Sequence, residues 1–182
     1  MRVFILLLII NVNCSNIEHE TNIDSREGLP DQESWNVEIT LTDEGVMRAL
    51  VKAGHLEKYN EKNYIFLNQN VDVDFFDEQE IHTTNLKSMI AEIDEKTNFM
   101  TAIENVVVVS DSGVTLYTDT LKWDSKKEII YTASPIVLTT EKNDTLYGSG
   151  FESDVGLNHW KILYPSGAVS YTHLTLPTIY SV

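Results

Sequence analysis

Gly113–Trp160 reads GVTLYTDTLKWDSKKEIIYTASPIVLTTEKNDTLYGSGFESDVGLNHW, in which short apolar and polar runs alternate between turn residues and no helical stripe is sustained. Val114, Leu116 and Thr118 fall on one side of an extended chain and Thr115 and Tyr117 on the other. Ile129 with Tyr131, and Ile136 with Leu138, repeat the two-residue period. Asp124-Ser125-Lys126-Lys127 and Glu141-Lys142-Asn143-Asp144 separate these runs as turns. The stretch predicts antiparallel sheet.

Upstream the pattern continues. Val37-Glu38-Ile39-Thr40-Leu41 and Val71-Asp72-Val73-Asp74-Phe75 alternate as half-buried strands with polar outer faces, and Asp43-Glu44-Gly45 and Asn68-Gln69-Asn70 read as turns. Gly45–Tyr59 fits a helix with Val46, Leu50 and Ala53 or Leu56 on one stripe, and equally a strand with Met47, Ala49, Val51 and Ala53 on one face. A faint thirty-residue repeat aligns Asp94–Met100 on Asp124–Ile130 and Val106-Val107 on Ile136-Val137. Each unit is turn, strand, bend, strand, and a unit that small buries its apolar face only against its neighbours. Several runs (Phe75-Phe76, Ile129-Ile130, Val106–Val109) carry bulky groups on both faces, which suits either a strand covered on both sides or an inner surface forming an apolar groove.

The order Gly113-x-x-Leu116-x-Thr118-x-x-Leu121-x-Trp123-Asp124, then Ile130-x-Thr132, then a Val/Leu strand, then Gly148-Ser149-Gly150-Phe151-Glu152-Ser153-Asp154 resembles the LptC family and its OstA-type relatives. The resemblance spans roughly Trp35 to Ile162, and Gly113, Trp123, Gly148, Gly150 and Phe151 are its marker residues. It implies an open, twisted β-jelly roll held at the inner membrane, with an apolar interior that receives the lipid A acyl chains of lipopolysaccharide. It also implies an inner-membrane ABC transporter as donor, a periplasmic LptA-like protein as acceptor, and strand over Gly45–Tyr59. Phe75, Ile93, Val106, Val108, Leu116, Ile129, Tyr131 and Ile136 are the groove residues that the apolar pattern offers for that role.

The 182 residues, 42% of them apolar, suffice for one domain with a real core. The formal charge of −15 repels phosphate backbones and excludes nucleic acid as a partner class. Residues 1–14 read as an export signal: Val3–Ile10 is a short apolar run, and Cys14 follows where a bacterial lipoprotein signal places its acylated cysteine. Asn11 and Asn13 depart from that signal, leaving an uncleaved anchor or a chance thiol as alternatives. Residues 15–34 are polar and charged, as in a flexible tether. Residues 35–167 form the β-domain. Residues 168–182 carry no charge, and VSYTHLTLPT matches one frame of a transposon-based sequencing adapter, so this end reads as an artefact beyond a truncated domain.

Catalytic chemistry has little to stand on. His19, His55, His82 and His159 lack metal-ligand spacing, and no cofactor is expected. Ser110–Gly113 and Gly148–Gly150 read as turn or bulge without a nucleophile elbow. Asp72, Asp74 and Asp77 lack the central glycine of a calcium loop, and Glu152 with Asp154 is a glycosidase pair only by composition. The leading expectation is a non-enzymatic lipopolysaccharide transport component of the periplasm. The alternative is a β-sandwich lipoprotein that binds glycan or protein through Trp35, Trp123 and Trp160, whose simpler reading is core and edge packing.

Overall fold

The computed structural model describes residues 28–167. Eleven segments follow in order: β1 (Gln32–Asp43), β2 (Val46–Tyr59), β3 (Tyr64–Asn68), β4 (Val71–Phe76), β5 (His82–Ser88), β6 (Ile90–Asp94), β7 (Phe99–Ser110), β8 (Thr115–Asp124), β9 (Ile129–Thr139), β10 (Thr145–Asp154) and β11 (Trp160–Ser166). They join in one antiparallel sheet, as a β-jelly roll requires, and β1 begins three residues ahead of the expected domain start. The segment that also fitted a helix is strand β2, with Ala49, Val51 and Ala53 buried in alternation. Packing decided there: a strand period puts Ala49, Val51 and Ala53 together on the covered face.

β3 and β4 lie end to end against β2, and β5 and β6 end to end against β7. Asn68–Asn70 therefore does not reverse the chain; Gln69 and Asn70 take positive φ (61° and 65°) and kink one long strand. This kink belongs to a line of irregularities that crosses the sheet. On β1 Asn36 has positive φ, and on β2 Gly54 donates to the Gln69 carbonyl at 3.1 Å, where a Cβ would lie 2.7 Å from Gln69. Met89 N–H reaches the Glu104 carbonyl, Glu104 and Asn105 have positive φ, and pairing of β8 with β9 lapses between Thr118 and Lys122. Gly150, at φ 71°, ends the line on β10. Bulges raise local twist and bend strands, so bulges in register bend the whole sheet along one line. That is how a meander becomes a roll.

The thirty-residue repeat has a physical basis at the turns. Asp94 accepts from the Lys96 and Thr97 amides, and Asp124 from the Lys126 and Lys127 amides. Asp154, thirty residues further on, accepts from the Asn158 and His159 amides. The third copy escapes a sequence comparison because only its aspartate is retained. No helix among the described residues is long and apolar enough to cross a membrane. The expected signal, Cys14, most of the tether and residues 168–182 lie outside the described residues.

Candidate functional site

Cross-strand pairing places one residue from each strand in a row, on one face. The row Ile39, Val51, Val73, Leu86, Val108, Leu116, Leu138 and Leu146 runs along the inner face from the edge strand β1 to β10, the neighbour of the opposite edge strand. A second row beyond the bulges holds Ile65, Ile93, Met100, Trp123, Ile130, Ser153 and Trp160. The apolar members of both rows pack in or against one core cluster, except Leu146, which is 36% exposed at the end of the first row. The inner face is thus a continuous aliphatic surface, and the central members of the first row are 0–1% exposed.

Of the groove residues read from the sequence, Phe75, Ile93, Val106, Val108, Leu116 and Ile136 lie on this surface. Ile129 and Tyr131 do not. The alternation of β9 keeps one parity from end to end, so Ile136 and Leu138 face inward together with Ile130 and Thr132, which turns Ile129 and Tyr131 to the outer side. The apolar run at Ile129-Ile130 conceals that parity; only counting back from Ile136 through Thr132 reveals it. Leu121 and Trp123 show the opposite case, since the break after Thr118 switches the inward parity within β8.

The marker residues serve the same architecture. Gly113 makes the β7–β8 turn, with its N–H on the Ser110 carbonyl. A Cβ on Gly148 would lie 2.4 Å from Ile162 Cγ2, so β11 packs down only on glycine. Gly150 is the bulge, and it places Phe151 in the core. Trp123 meets Phe75 edge-on at 5.0 Å, where the two layers of the roll touch. Around that contact Arg48 pairs with Glu128, and Thr84 Oγ1 donates to the Val155 carbonyl at 2.7 Å. These contacts clasp the layers together. Trp123 Nε1 and Ser153 Oγ are the inner polar atoms without a partner among the described residues.

The lining changes character at the edges. β1 and β11 each pair with one neighbour, and their inward residues (Val37, Ile39 and Leu41; Trp160 and Ile162) are only partly buried against the core. Sequence reasoning missed these edge residues as lining, although their alternation was visible. Of the tryptophans, Trp123 is core, Trp160 packs from the edge, and Trp35 stands exposed over His55 at 5.2 Å.

The polar clusters have structural partners. Asn85 Nδ2 donates to Asp72 and Asp74, which also face Lys87 and Lys52. His82 sits between Asp74 and Asp111, and the Asp154 carboxylate is taken up by its own turn and by His159. Among the described residues no group of three His, Cys, Asp or Glu is placed to hold a metal ion.

A single antiparallel sheet, bent along a line of bulges around an aliphatic lining, defines a β-jelly-roll protein whose site is a surface rather than a constellation of reactive groups. Residues 3–163 match the model of the LptC-related lipopolysaccharide-assembly family, and the chain belongs to that family. No curated protein matches it. Membership involves the protein in lipopolysaccharide transport, as a transport or binding component.

Proposed function

We propose that the roll receives lipopolysaccharide from an inner-membrane ABC transporter, holds its acyl chains on the inner face, and passes them to an LptA-like periplasmic protein without catalysing a reaction. The observation that carries this reading is the aliphatic row from Ile39 to Leu146, which runs from the edge strand β1 to β10 beside the opposite edge. Each methylene buried contributes about 0.8 kcal/mol, and the affinity is what remains after the facing side chains have given up their own packing. A net charge of −15 gives no general attraction for an anionic glycolipid, and burial has to supply the affinity. Because the lining is packed on itself, loading separates the layers at the Phe75–Trp123 contact, and the acyl chains take the place of the facing side chains.

Transfer is tested with the transporter in proteoliposomes, the full chain, and an LptA-like acceptor. ATP should drive lipopolysaccharide onto this protein and then onto the acceptor; transfer to the acceptor at the same rate without this protein contradicts the role. We further propose that Cys14 is acylated and holds the domain at the periplasmic face of the inner membrane. A clickable palmitate analogue should label the wild type and not Cys14→Ala. Labelling of both, or of neither, rules the lipid anchor out.

A further inference from the structure

The outer face of the sheet is divided in two. One cross-strand row runs Glu38, Lys52, Asp72, Lys87, Val107, Tyr117, Val137, Tyr147. Its first four members alternate in charge, and Lys87 reaches Asp72 at 3.6 Å while Lys52 reaches Asp74 at 3.7 Å. That half satisfies itself in water. Its last four members carry no charge, and Tyr117 and Tyr147 remain 45% and 53% exposed, beside Val109 at 44%. This is where the Val106–Val109 run places its second face.

The uncharged half is concave. At the bulge line the residues of this row border a groove of about 550 Å³ floored by Pro135 and Val137 and walled by Tyr117 and Tyr147. Its floor is also where the sheet parts, since β8–β9 pairing stops after Thr118–Ile136 and resumes at Lys122–Tyr131. Thr118 Oγ1 bridges the gap to the Pro135 carbonyl at 3.0 Å. One carboxylate, Asp119, lines the groove, and others stand on the same part of the sheet. Glu104 and Asp119 stand exposed at the bulges, and Asp111, Glu141 and Asp144 stand exposed at the turns. Against them are Lys142 in the turn, Lys122 beyond the break and His82, which already holds Asp111 at 3.0 Å.

We propose that this groove docks a polypeptide segment of a partner protein in which basic side chains alternate with aliphatic or aromatic ones. The apolar members fill the Val107–Tyr147 row, the cations reach these carboxylates, and backbone groups meet polar atoms at the gap. An anionic lipid surface is disfavoured by the same carboxylates, and so is a second copy of the chain, which would set carboxylate against carboxylate.

The probe is a dye-labelled, end-blocked peptide Lys-Val-Lys-Tyr-Lys-Val-Lys, compared with Glu-Val-Glu-Tyr-Glu-Val-Glu and Lys-Ser-Lys-Ser-Lys-Ser-Lys, followed by anisotropy on the full chain. The first should bind at least tenfold more tightly than either of the others. Tyr117→Ser and Tyr147→Ser should each weaken it at least fivefold, and Asp119→Asn should weaken it while Lys52→Ala leaves it unchanged. All four positions are on the outer face, and an unaltered thermal transition shows that each variant is folded. Equal binding of the two lysine peptides would reduce the effect to general attraction by an acidic protein and overturn the proposal. So would absence of binding, indifference to the tyrosine variants, a concentration-dependent dimer abolished by Tyr117→Ser, or flotation with phosphatidylcholine–phosphatidylglycerol vesicles that Tyr117→Ser prevents.

Discussion

Ile129 and Ile130 are adjacent, chemically identical and opposite in fate, because a strand's period of two assigns them to different faces. Ile130 is 1% exposed between Trp123 and Ser153, whereas Ile129 is half-buried on the outer side. Ile130→Ala should cost about 2–5 kcal/mol as a core truncation, and Ile129→Ala under about 1 kcal/mol. Chemical denaturation of the two variants checks this; the reverse ranking contradicts the inward parity of β9. Residue-scale legibility followed strand regularity. Phe75 and Leu116 were readable because they sit in alternating runs, Val108 came from a four-valine run that names no face, and Ile129 and Tyr131 misled because hydrophobicity alone does not state a face. Leu121 and Trp123 lie beyond a break that no local sequence signal announces.

At the scale of the element, aspartates fix the turns and bulges fix the bends. Amide hydrogen bonds from Thr97, outweighing burial, hold the Asp94 carboxyl below the ordinary value of 3.8. Burial opposes ionisation of Asp124, and the Lys127 and Lys126 amides together with the Lys127 ammonium outweigh it, again lowering the value. A carboxyl depressed in the folded state stabilises fully above its unfolded value and loses that contribution as pH falls through the folded one. Stability should therefore be flat from about pH 7 to pH 5 on account of these groups and fall below about pH 4. Asp124→Asn should be less stable at pH 7 and show a shallower acid limb, as read by thermal melts across pH; an unchanged limb contradicts the role of the charge. The paired turn sequences Asp94–Thr97 and Asp124–Lys127 were legible because side-chain capping has a local signature. The bulge line was legible only at Gly148–Gly150, since Asn36, Glu104 and Asn105 take positive φ with no glycine beside them to announce a bulge.

Across the whole molecule, a meander bent along one line gives two faces with separate properties. The inner face is mainly apolar; the outer is half ion-paired and half uncharged. The all-β class was readable from alternation, and the family from a few glycine and aromatic positions, because both depend on short-range pattern. The clasp of Arg48 with Glu128 joins residues far apart in sequence and had no signal there. In the proposed function the acyl chains lie on the inner face. A photo-crosslinking amino acid at Phe75, Leu116 or Ile130 should capture lipopolysaccharide in cells, while the same probe at Asp72, Lys127 or Ile129 should not. Capture at Ile129 equal to that at Ile130, or no capture at any inner position in a folded protein, would contradict it.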